Sequence, residues 1–185
     1  MAKTASTMLP LGTQAPQFSL LDVISGEKVS LNNSNKSKAT VVMFICNHCP
    51  YVKHVSKELA RLANDYMPEG VNFFAINSND VESYPDDSPE NMKKIAVQEG
   101  YPFPYLFDET QEVAKAYQAA CTPDFYVFDS NLVLAYRGQL DDSRPGNHIE
   151  VTGSSIRQAL DCLLANQSLN FEQKPSLGCN IKWKD

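Results

Sequence analysis

Two of the five cysteines, Cys46 and Cys49, stand three residues apart in the segment FICNHCPYV, which runs from Phe44 to Val52. A close thiol pair can open and close a small disulfide ring, or it can ligate a soft metal. The next residue favours the first of these. Pro50 suits the first helical position, because the N–H it lacks would be unpaired there. Cys49 then falls at or near the N-cap, with its sulfur beside unpaired backbone N–H groups and at the positive end of the helix dipole. A thiolate is stabilised there and the thiol pKa falls. Cys49 is therefore suited to attack a disulfide or a peroxide. Cys46, three residues back, can close the ring and release the product. His48, between the two, can stabilise a thiolate or carry a proton.

Two rival readings use the same residues. The cysteines could pack as small buried hydrophobes. Alternatively, Cys46, His48, Cys49 and His54 offer sulfur and nitrogen ligands within nine residues. A four-ligand site usually draws on two separated segments, and the sequence holds no second Cys-x-x-Cys and no second His pair. The expectation is therefore no metal, with His54 an ordinary helix residue. The remaining cysteines are Cys121, Cys162 and Cys179. Five unevenly spaced cysteines make a poor structural disulfide framework, which points to a reducing compartment and a cytoplasmic protein.

The elements that must hold the pair are legible from the pattern. Thr40–Ile45 is a short β-branched apolar run, as in a strand buried on both faces. After Pro50, Val52, Val55, Leu59 and Leu62 mark one face of a helix. The motif thus sits at a strand-to-helix junction. Val71–Asn77 reads as a second buried strand. Ser88-Pro89-Glu90 opens a helix that Gly100 ends. Pro102 to Phe107 is extended, and Asp108 with Gln111 resembles a capping box for a short helix through Tyr117. Gln17–Leu21 and Lys28–Leu31 flank Ser25-Gly26 as a hairpin, and Asn32 to Lys38 reads as loop. Phe125–Phe128 and Leu132–Tyr136 are strands joined by a turn. Ile156, Leu160, Leu163 and Leu164 mark a last helix, with Cys162 in its core face. Asp141 to His148 reads as a surface loop whose acids are solvated. The order predicts one mixed sheet with helices on both faces.

Length and charge set outer bounds. A chain of 185 residues suits one domain. A net charge of -6 leaves little basic surplus for a nucleic-acid or anionic membrane surface. The longest purely apolar run, Val41 to Cys46, is too short to span a bilayer, and the N-terminus carries no signal-like apolar core. Neither nucleic acid nor membrane is expected as a partner.

These residues resemble the thioredoxin-like superfamily. Within it they resemble the redoxin branch, the alkyl hydroperoxide reductase/thiol-specific antioxidant (AhpC/TSA) group. Cys46-Asn47-His48-Cys49-Pro50 followed by Tyr51-Val52 is similar to a peroxiredoxin-like subgroup, as are the segments Cys121 to Phe125, Arg137 to Gly146 and Pro175 to Lys184. The resemblance implies an α/β fold, a thioredoxin-like mixed-sheet sandwich with an N-terminal β-hairpin extension. It also implies a division into a flexible lead-in over 1–11, the redoxin domain over 12–165 and a tail over 166–185 packed on or near it.

The carry-over of site residues is mixed. Peroxiredoxins place a threonine where Cys46 stands and an arginine where Pro123 stands, so two of three peroxide-binding residues are absent. Arg137 and Arg144 are the candidate substitutes. Thr122-Pro123 resembles the cis-proline loop of thioredoxins, which faces the active-site sulfurs and offers backbone to an extended substrate. Thioredoxins use the first cysteine of the pair, which nominates Cys46 as nucleophile. The spacing from Phe44 in related reductases nominates Cys49, in agreement with Pro50, and Cys49 is the assignment made here, with Cys46 resolving. Peroxiredoxins often keep a resolving cysteine in a C-terminal tail, which nominates Cys179, beside Trp183 as a tail anchor. Cys121, two residues before Pro123, is either an extra thiol or a packed small residue.

The expected function is thiol–disulfide exchange on a disulfide-containing protein or small-thiol substrate. An external reductant such as a thioredoxin or glutathione system completes the cycle, and no organic cofactor is needed. The alternatives are a peroxiredoxin-type thiol peroxidase acting on peroxide through Cys49, and a metal-binding or redox-sensing module.

Overall fold

Four strands precede the first helix: β1 (Lys3–Ala5), β2 (Ser19–Asp22), β3 (Lys28–Ser30) and β4 (Ala39–Phe44). Helix α1 (Pro50–Tyr66), β5 (Val71–Asn77), α2 (Pro89–Glu99), β6 (Tyr105–Phe107) and α3 (Glu112–Ala116) follow. The second half holds β7 (Cys121–Thr122), β8 (Asp124–Asp129), β9 (Leu134–Gly138), α4 (Ser154–Leu164) and β10 (Leu177–Asn180). The structure is a computed structural model that describes residues 3–31 and 37–184. Of the stretch read as a loop from Asn32 to Lys38, residues 32–36 lie outside the described residues.

Seven strands form one mixed sheet in the order β3-β2-β6-β5-β4-β8-β9. β4 runs parallel to β5 and antiparallel to β8, and β5 runs parallel to β6. Every residue of β4 is buried. The strand pleat sends Val41 and Met43 to the face packed by α1, α2 and α4, and Val42 and Phe44 to the face packed by α3. The apolar stripe Val52, Val55, Leu59 and Leu62 lies on the buried side of α1. Ser88 caps α2 by accepting from the Asn91 N–H at 3.4 Å, and Gly100 ends it at φ 68°. This is the thioredoxin-like α/β sandwich, with the β2–β3 hairpin added at one edge.

Five readings are corrected. The lead-in is not free: β1 pairs antiparallel with β10, Lys3 opposite Cys179, because the tail strand offers an open edge of backbone donors and acceptors. The sheet is accordingly not single, since β1, β10 and β7 form a second, three-stranded one. Gln111 does not close a capping box. It sits at φ 63°, and its amide donates to the carbonyls of Ser78 (2.7 Å) and Lys182 (2.8 Å). Asp141 is buried rather than solvated and accepts the N–H groups of Ser143, Thr152 and Gly153, which folds its loop back on itself. Cys162 on α4 is only half-buried.

Candidate active site

The strand-to-helix junction is built as the proline requires. Cys49 is the N-cap of α1 with extended backbone (φ -69°, ψ 123°), and Pro50 opens the helix. Cys46 lies in the loop between β4 and α1. The junction between β7 and β8 closes from the opposite side, with the Thr122–Pro123 peptide bond cis. Cys46 Sγ is 3.3 Å from Thr122 Oγ1, and Cys49, when protonated, donates to the Thr122 carbonyl at 3.2 Å. Cys179, on β10, lies directly opposite Thr122 in the antiparallel register, and its Sγ is 2.7 Å from Cys49 Sγ. Cys46, Cys49, Thr122, Pro123 and Cys179 thus share one buried cluster, and none of the three cysteines is disulfide-bonded.

The electrostatics single out Cys49. The hydrogen bond from the Cys46 thiol pulls its pKa down to about 5, against the opposing effect of burial, with help from the Cys179 thiol and the N–H groups of Val52 and Cys179. Val52 is the third helical residue, so its N–H is one of the unpaired donors of the first turn. The donors pay in the other direction. Donation to Cys49 and burial raise Cys46 well above the ordinary thiol value. Burial, followed by donation to Cys49, lifts Cys179 to about 12. One thiolate is therefore held by two thiols.

A buried carboxylate anchors the motif loop. Asp87, fully buried just before α2, accepts the N–H groups of Asn47 (2.8 Å) and His48 (3.2 Å) and the side-chain amide of Asn79 (2.7 Å). Its Oδ2 also lies 2.6 Å from His48 Nδ1, which leaves His48 Nε2 without a protein partner. The His48 ring stacks on Tyr84, with centroids 5.3 Å apart. Asn47 is held as well, donating to the Asp86 carbonyl and accepting from the Tyr105 hydroxyl. Cys46, His48 and Asp87 each place one donor atom within 4.8 Å of the others. His54, the fourth ligand of the sequence reading, is elsewhere, with Nε2 2.7 Å from Ser143 Oγ.

The sequence reading missed Asp87. Its signal was faint: an acid immediately before the Ser-Pro helix start, which ordinarily reads as turn composition. Cys121 does not join the sulfur cluster. It is buried, its thiol points at the Pro123 carbonyl 3.7 Å away, and burial drives its pKa far up. The two arginines are also committed elsewhere. Arg137 donates to the Leu9 carbonyl and to Gln173, and Arg144 to the carbonyls of Asp141 and Ser143 and to Gln139.

The AhpC/TSA family model matches residues 11–137, which contain both motif cysteines and the cis-proline loop. The chain belongs to the AhpC/TSA family. Among curated proteins no match is found. This AhpC/TSA chain is similar over its whole length to an uncharacterized conserved protein from Geobacillus kaustophilus, with 68% identity, a TM-score of 0.97 and 97% of that chain covered. A hypothetical protein from Sinorhizobium meliloti 1021 is 45% identical with a TM-score of 0.95, covering 98% of each chain. A putative thiol:disulfide interchange protein DsbE from Chlorobium tepidum is 19% identical with a TM-score of 0.67, covering 84% of this chain and 99% of that one. That last likeness establishes the thioredoxin-like fold of the AhpC/TSA chain and nothing finer.

Proposed function

We propose that the protein is a thiol–disulfide oxidoreductase with Cys49 as nucleophile and Cys46 as resolving thiol. The observation that carries this reading is the Cys49 sulfur itself, at the N-terminus of α1 with a pKa drawn down to about 5 by neighbouring thiol and N–H donors. Its thiolate attacks a substrate disulfide, forms a mixed disulfide and expels one substrate thiolate. Cys46 then loses its proton and attacks Cys49 Sγ. The Cys46–Cys49 bond forms, and the second substrate thiol leaves. The substrate gains two electrons and the pair loses two.

Cys46 needs a proton acceptor, since its thiol is held far up. His48, with Asp87 fixing its ring beside Cys46, is suited to that role. An external dithiol, of the thioredoxin or glutathione kind, restores the pair. The substrate class is a protein disulfide or a small-molecule disulfide, and the chain would work in a reducing compartment such as the cytoplasm. Among the described residues no helix is long and apolar enough to cross a membrane. The missing peroxide-binding threonine, and the engagement of Arg137 and Arg144 elsewhere, weigh against a peroxidase.

The test follows thiol release from a small aromatic disulfide under a recycling reductant. Wild type should turn over repeatedly, and Cys49→Ser should lose about a thousandfold. Cys46→Ser combined with Cys179→Ser, which removes both thiols that flank Cys49, should stop after one half-reaction, with the aromatic thiol on Cys49 visible by intact mass. Repeated turnover by Cys49→Ser would overturn the assignment. Oxidation of Cys49 by hydrogen peroxide orders of magnitude faster than by the disulfide would move the reading to a thiol peroxidase.

A further inference from the structure

The tail is seated on the active site too closely for a passive cover. Gly178 faces the cis-proline loop with no room for a side chain: a Cβ there would collide with the Thr122 carbonyl and crowd Pro123 N. Gly138 admits the Lys174 carbonyl in the same way. Ser176 Oγ donates to the Pro123 carbonyl at 2.6 Å, and the Ile181 N–H to the Ala120 carbonyl at 3.1 Å. Lys182 and Lys184 are tied to Asn79 and Gln111. These contacts fix β10 against β7 and deliver one side chain, Cys179, to the Cys49 sulfur. The exposed edge of β7, where an extended chain would otherwise pair beside the sulfurs, is filled by the protein's own strand.

Building on the exchange reading of Cys46 and Cys49, we infer that Cys179 is a third redox cysteine and that β10 is the site's built-in substrate strand. The disulfide migrates between Cys46–Cys49 and Cys49–Cys179. In that step Cys179 gives up its proton, and its thiolate attacks Cys49 Sγ on the side away from Cys46. The Cys49–Cys179 bond forms as the Cys46–Cys49 bond breaks, and Cys46 leaves as a thiolate that takes up a proton. One disulfide is present before and after, so no outside oxidant or reductant is consumed. The thiolate that holds both flanking thiols protonated disappears once Cys49 is in a disulfide, which removes part of the barrier to Cys179 ionising. The product state frees Cys46, which lines a cavity of about 360 Å³ with Asn47, Val52, Ser56, Glu99 and Tyr101. It also ties the tail covalently across the site.

The experiment oxidises the full-length reduced protein with one equivalent of diamide, quenches with acid and an alkylating agent over a time course, and maps disulfides by peptide mass spectrometry. Diamide takes the two electrons and two protons of each dithiol. Wild type should yield both Cys46–Cys49 and Cys49–Cys179. Cys46→Ser should yield monomeric Cys49–Cys179 in most chains. Gly178→Ala, with folding checked by circular dichroism, should form Cys49–Cys179 at least tenfold more slowly than wild type and should lower the ratio of Cys49–Cys179 to Cys46–Cys49. The inference is overturned if Cys179 is alkylated in both oxidised wild type and Cys46→Ser, or if Gly178→Ala forms the Cys49–Cys179 link as fast as wild type. The two readings fail separately. A missing Cys46–Cys49 disulfide in oxidised wild type removes the exchange pair even where Cys49–Cys179 is found. A present Cys46–Cys49 with Cys179 free in both chains removes only the relay.

Discussion

Cys49 has two flanks, and they are built differently. On the Cys46 flank a short loop is held by one buried acid, Asp87, and opens to a cavity. On the Cys179 flank a whole strand is seated between β1 and β7, and the Cys179 side chain is buried. The first flank is made of residues adjacent in sequence and the second of residues brought from the far end of the chain. The contrast teaches that the cavity reaches the motif at Cys46, while Cys49 itself is buried between its two flanks.

The sharpest way to break this picture is differential alkylation of the reduced protein. With Cys49 near 5 and Cys179 near 12, iodoacetamide at pH 7 should modify Cys49 at least about a hundredfold faster than Cys179. The Cys49 rate should fall only below pH 6, with a midpoint near 5. A midpoint above 8 would remove the thiolate from the site.

The second test concerns Asp124, which opens β8 behind the Cys179 flank. Burial lifts it to about 8, and Tyr126 with two backbone N–H groups only partly opposes that. Its folded pKa lies above the ordinary value, so its contribution is favourable below pH 4 and is lost as pH rises towards 8. Across that window the unfolded chain ionises and the folded one does not, so stability falls by up to about 1.4 kcal/mol per pH unit. Asp124→Asn should lack this slope in urea unfolding compared with wild type. An identical pH dependence would refute the burial argument.

Smaller effects separate the flanks. Asp87→Ala leaves the N–H groups of Asn47 and His48 and the Asn79 amide unpartnered, and should cost about 3 kcal/mol in urea unfolding. It should also slow resolution by Cys46 more than attack by Cys49. An unchanged stability would mean that the motif loop holds itself. Gln111→Ala removes three bonds to the tail and to Ser78 and should cost about 2 kcal/mol. Amide exchange should then speed up over 177–184 and not over 45–50. Equal acceleration in both segments would merge the two flanks into one cooperative unit.

The same contrast explains what could be read from the residues. The Cys46 flank was legible because its signals are local: a β-branched run, a proline after Cys49, and apolar offsets of three and four along α1. The N-cap position of Cys49 and the buried strand before it follow from those few residues. Asp87 was not legible, because its partners Asn47 and His48 lie in another segment and an acid before Ser-Pro reads as turn. The tail strand was missed for a related reason. Leu-Gly-Cys-Asn is only four residues long with a glycine inside it, and Lys-Thr-Ala at β1 has three residues and no apolar alternation. Their pairing is set by the exposed edge of β7, which exists only in the folded chain. Asp141 shows the converse: an acid in a polar loop is usually solvated, yet here three N–H groups converge on it.

The small sheet of β1, β10 and β7 also fixes an order of assembly. It joins residues near the start of the chain to residues near the end, so none of it can form while synthesis is still passing through the middle. A chain emerging from the ribosome can complete β4, α1 and β5, and so acquire its reactive helix end, well before β10 is available to cover it. For that interval β10 and its Cys179 are missing from the site. The last strand to arrive therefore brings Cys179 to the Cys49 sulfur only once the rest of the domain can be in place.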